Sequence, residues 1–527
     1  HWLDVARWAE SNGHQHNRPR PHAWRYRDWV VDAFASGMPY DEFLRSQIAG
    51  DEMEPLGSGD ESRLIATGFL AAARYSGNEL DKKIQRNDIL VDVVNTTGNA
   101  FLGLTFECAQ CHTHKFDPLT IRDYYRMQAF FGRGQPANVS FAQDREQAEA
   151  WVNERWEIFD RTYERLVFVR ERRGEPNPHL VIPKTVRGRM AAKDKERFAE
   201  LEHRIDGVTQ TWAFSNGEPE RAIMPHEMRW PLARDPAMLE ERSTHILLRG
   251  DVRAPGPEVT PGWPLVFGET PETADESRKA LADWMTSAAN PLTARVWVNR
   301  LWAWHFGKGL VETVGDFGKQ GAEPTHPELL DYLASELIHA EWDTLHVHRL
   351  IVGSATYRQS SSFSAARAER DPEEKTYWRW KPRRLEAEAI RDAMLFVSGQ
   401  LDAREGGPSD EHGVGSKRRG LYLKQERERL PAQQVLFDSA NGVASCAKRR
   451  VSTNALQPLW LLNSEFSQEM AAALAERAGT VEKAFALCLG REMAGEEKRI
   501  LEGHSDRHGL ASACLAILNS SEFLYVP

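Results

Sequence analysis

Residues 106–120 read FECAQCHTHKFDPLT and place Cys108, Cys111 and His112 in a Cys-x-x-Cys-His spacing. With five Cys and 18 His in 527 residues, chance gives such a pattern an expectation of about 0.002, so accident explains it poorly. Two thiols one helical turn apart can each add to a haem vinyl group, and the adjacent His112 then ligates the iron. The rival reading is half of a tetrahedral zinc site, with His114, His14 or His16 completing Cys108 and Cys111. A redox pair or plain structural thiols are the third reading, although no strand leads into the motif. For a haem iron, Met127 on the following helix is the candidate sixth ligand, with His14, His16 and His22 as alternatives. A Met ligand raises the potential and favours electron transfer. The competing role of Met127 is core filling.

Outward from the motif the pattern is helical. NDILVDVVNTTGNAFLGLTF (87–106) runs into it and IRDYYRMQAFFG (121–132) leaves it, with Gly132 as a C-terminal stop. AWRYRDWVVDAFASG and MPYDEFLRSQIAGD carry apolar residues at helical spacing. Residues 142–172 are charged and helical, and 185–206 can return beside them as a hairpin whose charges form a solvated face. From 210 to 268, STHILLRGDV reads as a strand and RAPGPEVTPGWPLVFG is rich in turn residues, which predicts a small β-containing module. Helical patterns resume near 275, residues 403–450 are rich in loops, and the last 75 residues are helical again.

The expected fold is therefore mainly α. A multi-helical, haem-c-like domain covers 1–135. A charged helical segment with a small β-containing module covers 136–270. A larger helical domain covers 271–527. Seventeen tryptophans point to large helix-packing cores.

The formal net charge of -10 argues against nucleic-acid binding through an overall basic field. No apolar run of about 18 residues predicts an integral membrane span. Five cysteines are too few for a disulfide scaffold of this size, and Cys488 and Cys514 read as buried small hydrophobes. The chain opens at His1 without an initiator Met, as a fragment or processed form does, so the missing leader says little about location.

Two further constellations stand out. Arg295, Asn299 and Trp302 fall at i, i+4 and i+7, one helix face that could line a polysaccharide or other polar ligand; a helix surface with buried tryptophans is the plainer reading. RRLEAEAIRD (383–392) carries Glu386 and Glu388, two apart on a helix and so expected to diverge, which disfavours paired-carboxylate glycoside chemistry. An ion-pair network is the expected role. The GDFG at 315–318 lacks the other kinase motifs.

WLDVARWAESNG, WRYRDWVVDAF, MPYDEFLRSQIAGD and NAFLGLTFECAQCHTHKFDPLTIRDYYRMQAFF together resemble a cytochrome c-like domain of unknown function found in large planctomycete and verrucomicrobial proteins. NPLTARVWVNRLWAWHFGKGLVETVGDFG, HPELLDYLASELI, RRLEAEAIRDAMLFVSGQL and RRVSTNALQPLWLLN resemble the partner domain that follows it, also of unknown function. The resemblance implies a secreted, periplasmic or cell-envelope protein with a haem c motif. Such proteins often carry a further cytochrome domain with its own CxxCH, and no second one occurs in these 527 residues. Their middle region can hold a carbohydrate-binding-like sandwich, whereas 136–240 read as helical here.

The resulting expectation is an envelope haem c protein that transfers electrons to a redox partner protein or supports an oxidoreductase. The alternatives are a zinc- or other metal-binding surface protein engaging polysaccharide, and a carbohydrate-active enzyme with its site in the C-terminal domain. The water-excluding cover over the haem would come from Trp-rich helices.

Overall fold

Apolar residues at helical spacing, closed by Gly and Pro, build a mainly helical molecule in this computed structural model. It describes all residues except 14–16, 54–60, 77–81, 177, 180, 182, 217–242, 272–274, 414 and 527. In chain order the first helices are α1 (Trp2–Val5), α2 (Trp24–Ala35), α3 (Tyr40–Met53), α4 (Ser62–Ala66), α5 (Gly68–Ala71), α6 (Lys82–Thr97) and α7 (Ile121–Ala129). A long hairpin follows, α8 (Ala142–Arg172) against α9 (Pro183–Arg189) and α10 (Ala192–Asp206). The sequence predicts one returning segment there. The chain breaks it at Met190–Ala191, where Ala191 is extended (ψ 152) and starts α10.

The strands form two-stranded antiparallel pairs. β1 (Gln135–Ser140) pairs with β2 (Gln210–Ser215) and closes the base of the hairpin. β3 (Thr244–Leu247) pairs with β4 (Pro255–Val259). β1, QPANVS, has no alternation and contains Pro, so the sequence does not announce it; its partner lies some 70 residues away.

The C-terminal half continues with α11 (Arg278–Met285), α12 (Thr293–Phe306), α13 (Pro327–His339) and α14 (Thr344–Gly353). These share one core with the first helices. Trp2, Phe43, Phe69, Phe101, Tyr124, Trp297, Leu301 and Leu337 belong to it. Trp297 is fully buried, stacked on Tyr40 at 4.0 Å between ring centroids and edge-on to Trp2 at 5.8 Å. A Trp→Ala change at such a site costs about 3–5 kcal/mol.

A second core lies among later helices, around Ile390, Met394, Leu461, Met470, Leu474 and Leu518. The terminal strand Tyr525–Val526 pairs with Arg383–Arg384 and closes the chain onto it. A third, smaller core binds α8 to α9 and α10 through Val152, Phe159, Val186, Phe198, Leu201 and Ile205.

Candidate functional site

The Cys-x-x-Cys-His stretch is an exposed turn hung between buried anchors. α6 passes into a π-helical turn, Gly98–Leu102. A side chain at Gly98 would meet the ring of Phe106 at 2.2 Å, so the glycine lets that ring seat fully buried just before the motif. Glu107–Gln110 form a 3₁₀ turn in which Ala109 points inward and Cys108 outward. On the exit side, His114 is buried, and its Nδ1 accepts the Asp117 amide at 2.8 Å. The Asp117 carboxylate accepts the Lys319 amide at 2.6 Å, which ties the loop to the GDFG turn. Phe317 N–H also donates to Gly103 O at 2.7 Å. Thr120 and Asp123 then form the capping box that starts α7.

Between these anchors Cys108, Cys111 and His112 are all exposed, and the thiols are unbridged. The Trp-rich cover expected from the sequence does not lie over them. The π turn and capping box spend the apolar residues inward and leave the motif at the surface. His112 Nδ1 lies 2.8 Å from Thr113 O. A carbonyl only accepts, so Nδ1 carries the proton, and in the neutral ring the lone pair then sits on Nε2. Ligating histidines in metal sites are commonly held this way. Cys111 packs beside Gly250, whose φ of +73 favours glycine and where a Cβ would stand 3.0 Å from Cys111 Sγ. Tyr125 O–H donates to Gln110 O at 2.9 Å. Burial, with Cys111 nearby, pushes the Tyr125 phenol above its usual range.

The other sequence candidates lie elsewhere. Met127 is fully buried in the first core, whereas the thiols are exposed. His114 is spent on the Asp117 turn. His14 and His16 lie outside the described residues. Among the described residues, no three His, Cys, Asp or Glu side chains are gathered to hold a metal ion.

A polar cleft of about 480 Å³ adjoins the turn. Glu107 and Gln110 line it from the turn, Asp92 and Asn95 from α6, Asn99 from the π turn, and Ser445 from the C-terminal half. Asp92 accepts from Arg7 Nε at 2.7 Å. Arg7, Arg20 and Arg427 are all buried nearby. Arg427 donates to the carbonyls of Arg7 (2.7 Å), Ser11 (3.0 Å), Asn12 (3.2 Å), Ala72 (2.5 Å) and Gly442 (2.5 Å). Carbonyl dipoles thus stand in for counter-ions. Burial and then Arg20 hold the Arg427 guanidinium well below its ordinary range. Sequence reading missed this group, because an arginine bound to backbone carbonyls leaves no partner motif.

The Arg295–Asn299–Trp302 face is occupied by the fold. Arg295 meets Asp331 at 2.6 Å, Asn299 clasps both backbone groups of Val311 at 2.8 and 3.0 Å, and Trp302 is buried. Trp304 instead lines an almost wholly apolar cleft of about 290 Å³, with Trp2, Phe34, Trp297, Leu345 and His348. At its rim the His1 ring stacks on Trp304 at 5.3 Å. His348 Nδ1 meets His305 Nε2 at 2.8 Å. Burial, then His348 and Arg383, depress His305 to about 4.

Glu386 and Glu388 do not diverge. Glu386 is the extended N-cap of the helix Ala387–Ser398, so helical spacing does not apply to it, and both carboxylates meet Arg449, at 3.4 and 2.7 Å.

Comparison with known proteins finds two domain families. Residues 1–135, which hold the Cys-x-x-Cys-His turn, match PSCyt2, a protein of unknown function (DUF1549). Residues 277–504, which hold Trp304 and Arg449, match PSD1, a protein of unknown function (DUF1553). The two lie in tandem. No curated protein and no solved structure matches the chain.

Proposed function

We propose that residues 106–119 are a haem c attachment loop and that the chain is a cell-envelope electron-transfer protein. The observation that carries this reading is His112. Its Nδ1–H is committed to Thr113 O, which leaves Nε2 for a metal beside two exposed, unbridged thiols. Cys108 and Cys111 would form the thioether links, and His112 would be the proximal ligand. Haem c would supply one-electron transfer at an iron whose potential follows its axial ligands and exposure.

The chain's own residues perform the positioning. Phe106 and Ala109 fix one end of the turn, and the His114–Asp117–Lys319 bonds fix the other. The exposed Phe116 ring adds apolar surface to the same loop. Surface placement suits docking of a redox partner protein at the loop. The test is intact and peptide mass analysis of protein matured with haem-attachment machinery. Haem on the Cys108–Cys111 peptide, lost in Cys108→Ser/Cys111→Ser, supports the reading; an unmodified peptide rejects it.

A second reading rests on the Trp304 cleft. Its apolar walls and indole faces suit the C–H face of a sugar ring, with polar atoms of His348 and Asp343 at the rim. The polysaccharide contact thereby moves from Trp302 to Trp304. Tryptophan fluorescence titration with oligosaccharides, compared with Trp304→Ala, tests it: a saturable change lost in the variant supports it, and none in either rejects it.

A further inference from the structure

The long hairpin presents a surface unlike the rest of the chain. α8 has 31 residues, roughly 46 Å at 1.5 Å per residue, and one face packs on α9 and α10. Residues 165–195, its far end, hold nine Lys and Arg against three Asp and Glu, whereas the whole chain holds 67 against 77. Arg172, Arg173, Lys184, Arg189, Lys193 and Lys195 are exposed and have no ion pair among the described residues. Phe168 is 54% exposed and Val169 is 37% exposed. Helical spacing sets Arg165, Phe168, Val169 and Arg172 on one outward stripe. The Arg172 guanidinium stands 4.9 Å from the Phe168 ring centroid.

We infer that the end of this hairpin is a membrane-surface contact that takes anionic lipid headgroups, with Phe168 and Val169 entering the boundary between headgroups and acyl chains. Charge complementarity alone would fit any polyanion. The exposed aromatic and β-branched pair within the basic stripe favours lipid, because a soluble polyanion leaves those side chains in water while an interface buries them beside snorkelling arginines. This rests on neither the haem loop nor the Trp304 cleft.

Vesicle flotation of the full chain tests it, with phosphatidylcholine vesicles alone or containing one quarter phosphatidylglycerol, at about 0.1 M salt, where the Debye length is about 10 Å. The expected result is binding to the anionic vesicles only. It falls at least tenfold in Arg172→Glu/Arg173→Glu/Lys193→Glu/Lys195→Glu, and severalfold in Phe168→Ser, which leaves the charge unchanged. Absence of binding to anionic vesicles overturns the inference. So does equal binding by the charge-reversed chain. Loss on charge reversal with no effect of Phe168→Ser also overturns it, as does capture by a soluble sulfated polysaccharide without capture by vesicles; both assign the surface to a soluble polyanion.

Discussion

Arg449 closes on Asp4 through two hydrogen bonds, Nε to Oδ2 at 2.6 Å and Nη2 to Oδ1 at 3.0 Å. Glu388 and Glu386 meet the same guanidinium at 2.7 and 3.4 Å. One cation thus joins the first helix to the segment that begins the second core. Burial opposes the charge on Arg449, but Asp4 and Glu388 outweigh it and hold the group more firmly protonated than usual. Arg449→Ala leaves Asp4 and Glu388 facing one another without their shared cation. It should cost about 3–5 kcal/mol, read as a lower urea midpoint. An unchanged midpoint would show the knot to be idle.

Burial holds four histidines, His22, His305, His348 and His412, below their ordinary range, and two of them make a pH prediction. Burial, then Arg25, takes His22 to about 4; burial, then His348 and Arg383, takes His305 to about 4. Both lie below the unfolded value of about 6.5, so the folded state binds fewer protons. Their contribution is complete above about pH 6.5 and is lost as pH falls through 4. Thermal melts should therefore decline over that window, and His22→Asn/His305→Asn should flatten the decline. An identical pH profile in the double variant would contradict the assignment.

The five thiols should separate by reactivity before any haem is attached. Cys108 and Cys111 are exposed, whereas burial raises Cys488 to about 12 and Cys514 to about 11, and raises Cys446 as well. The thiolate is the reactive species, so a disulfide reagent at pH 8 should label two thiols quickly and the rest only on unfolding. Fast labelling of Cys446 or Cys488 would contradict the burial described.

Asp117 tests how the loop is held. Asp117→Ala removes the acceptor for the Lys319 amide and should cost about 1–3 kcal/mol. Limited proteolysis should then cut within 107–119 faster than in the parent chain. Equal cutting rates would show that the Gly103–Phe317 bond and the buried Phe106 suffice.

The mainly helical fold was legible because its helices carry apolar stripes ended by Gly or Pro, as Gly37 and Gly399 do at φ +70 and +73. The exposed turn was legible as a motif, but its exposure was not: whether tryptophans cover a loop depends on how distant helices cross. β1 escaped for the same reason, since its strand character comes from β2 and not from its own residues. Arg427 escaped because backbone carbonyls leave no trace in side-chain spacing. The carboxylates at 386 and 388 converge because Glu386 stands one residue before the helix begins, where helical spacing does not hold.

The most direct measurement is a reduced alkaline-pyridine spectrum of the full chain made with haem-attachment machinery, recorded before and after acid–acetone extraction. A sharp c-type α band should survive extraction and vanish in Cys108→Ser/Cys111→Ser. A colourless protein, or colour removed entirely by extraction, would contradict it, and zinc found bound in its place would move Cys108 and Cys111 to a metal site.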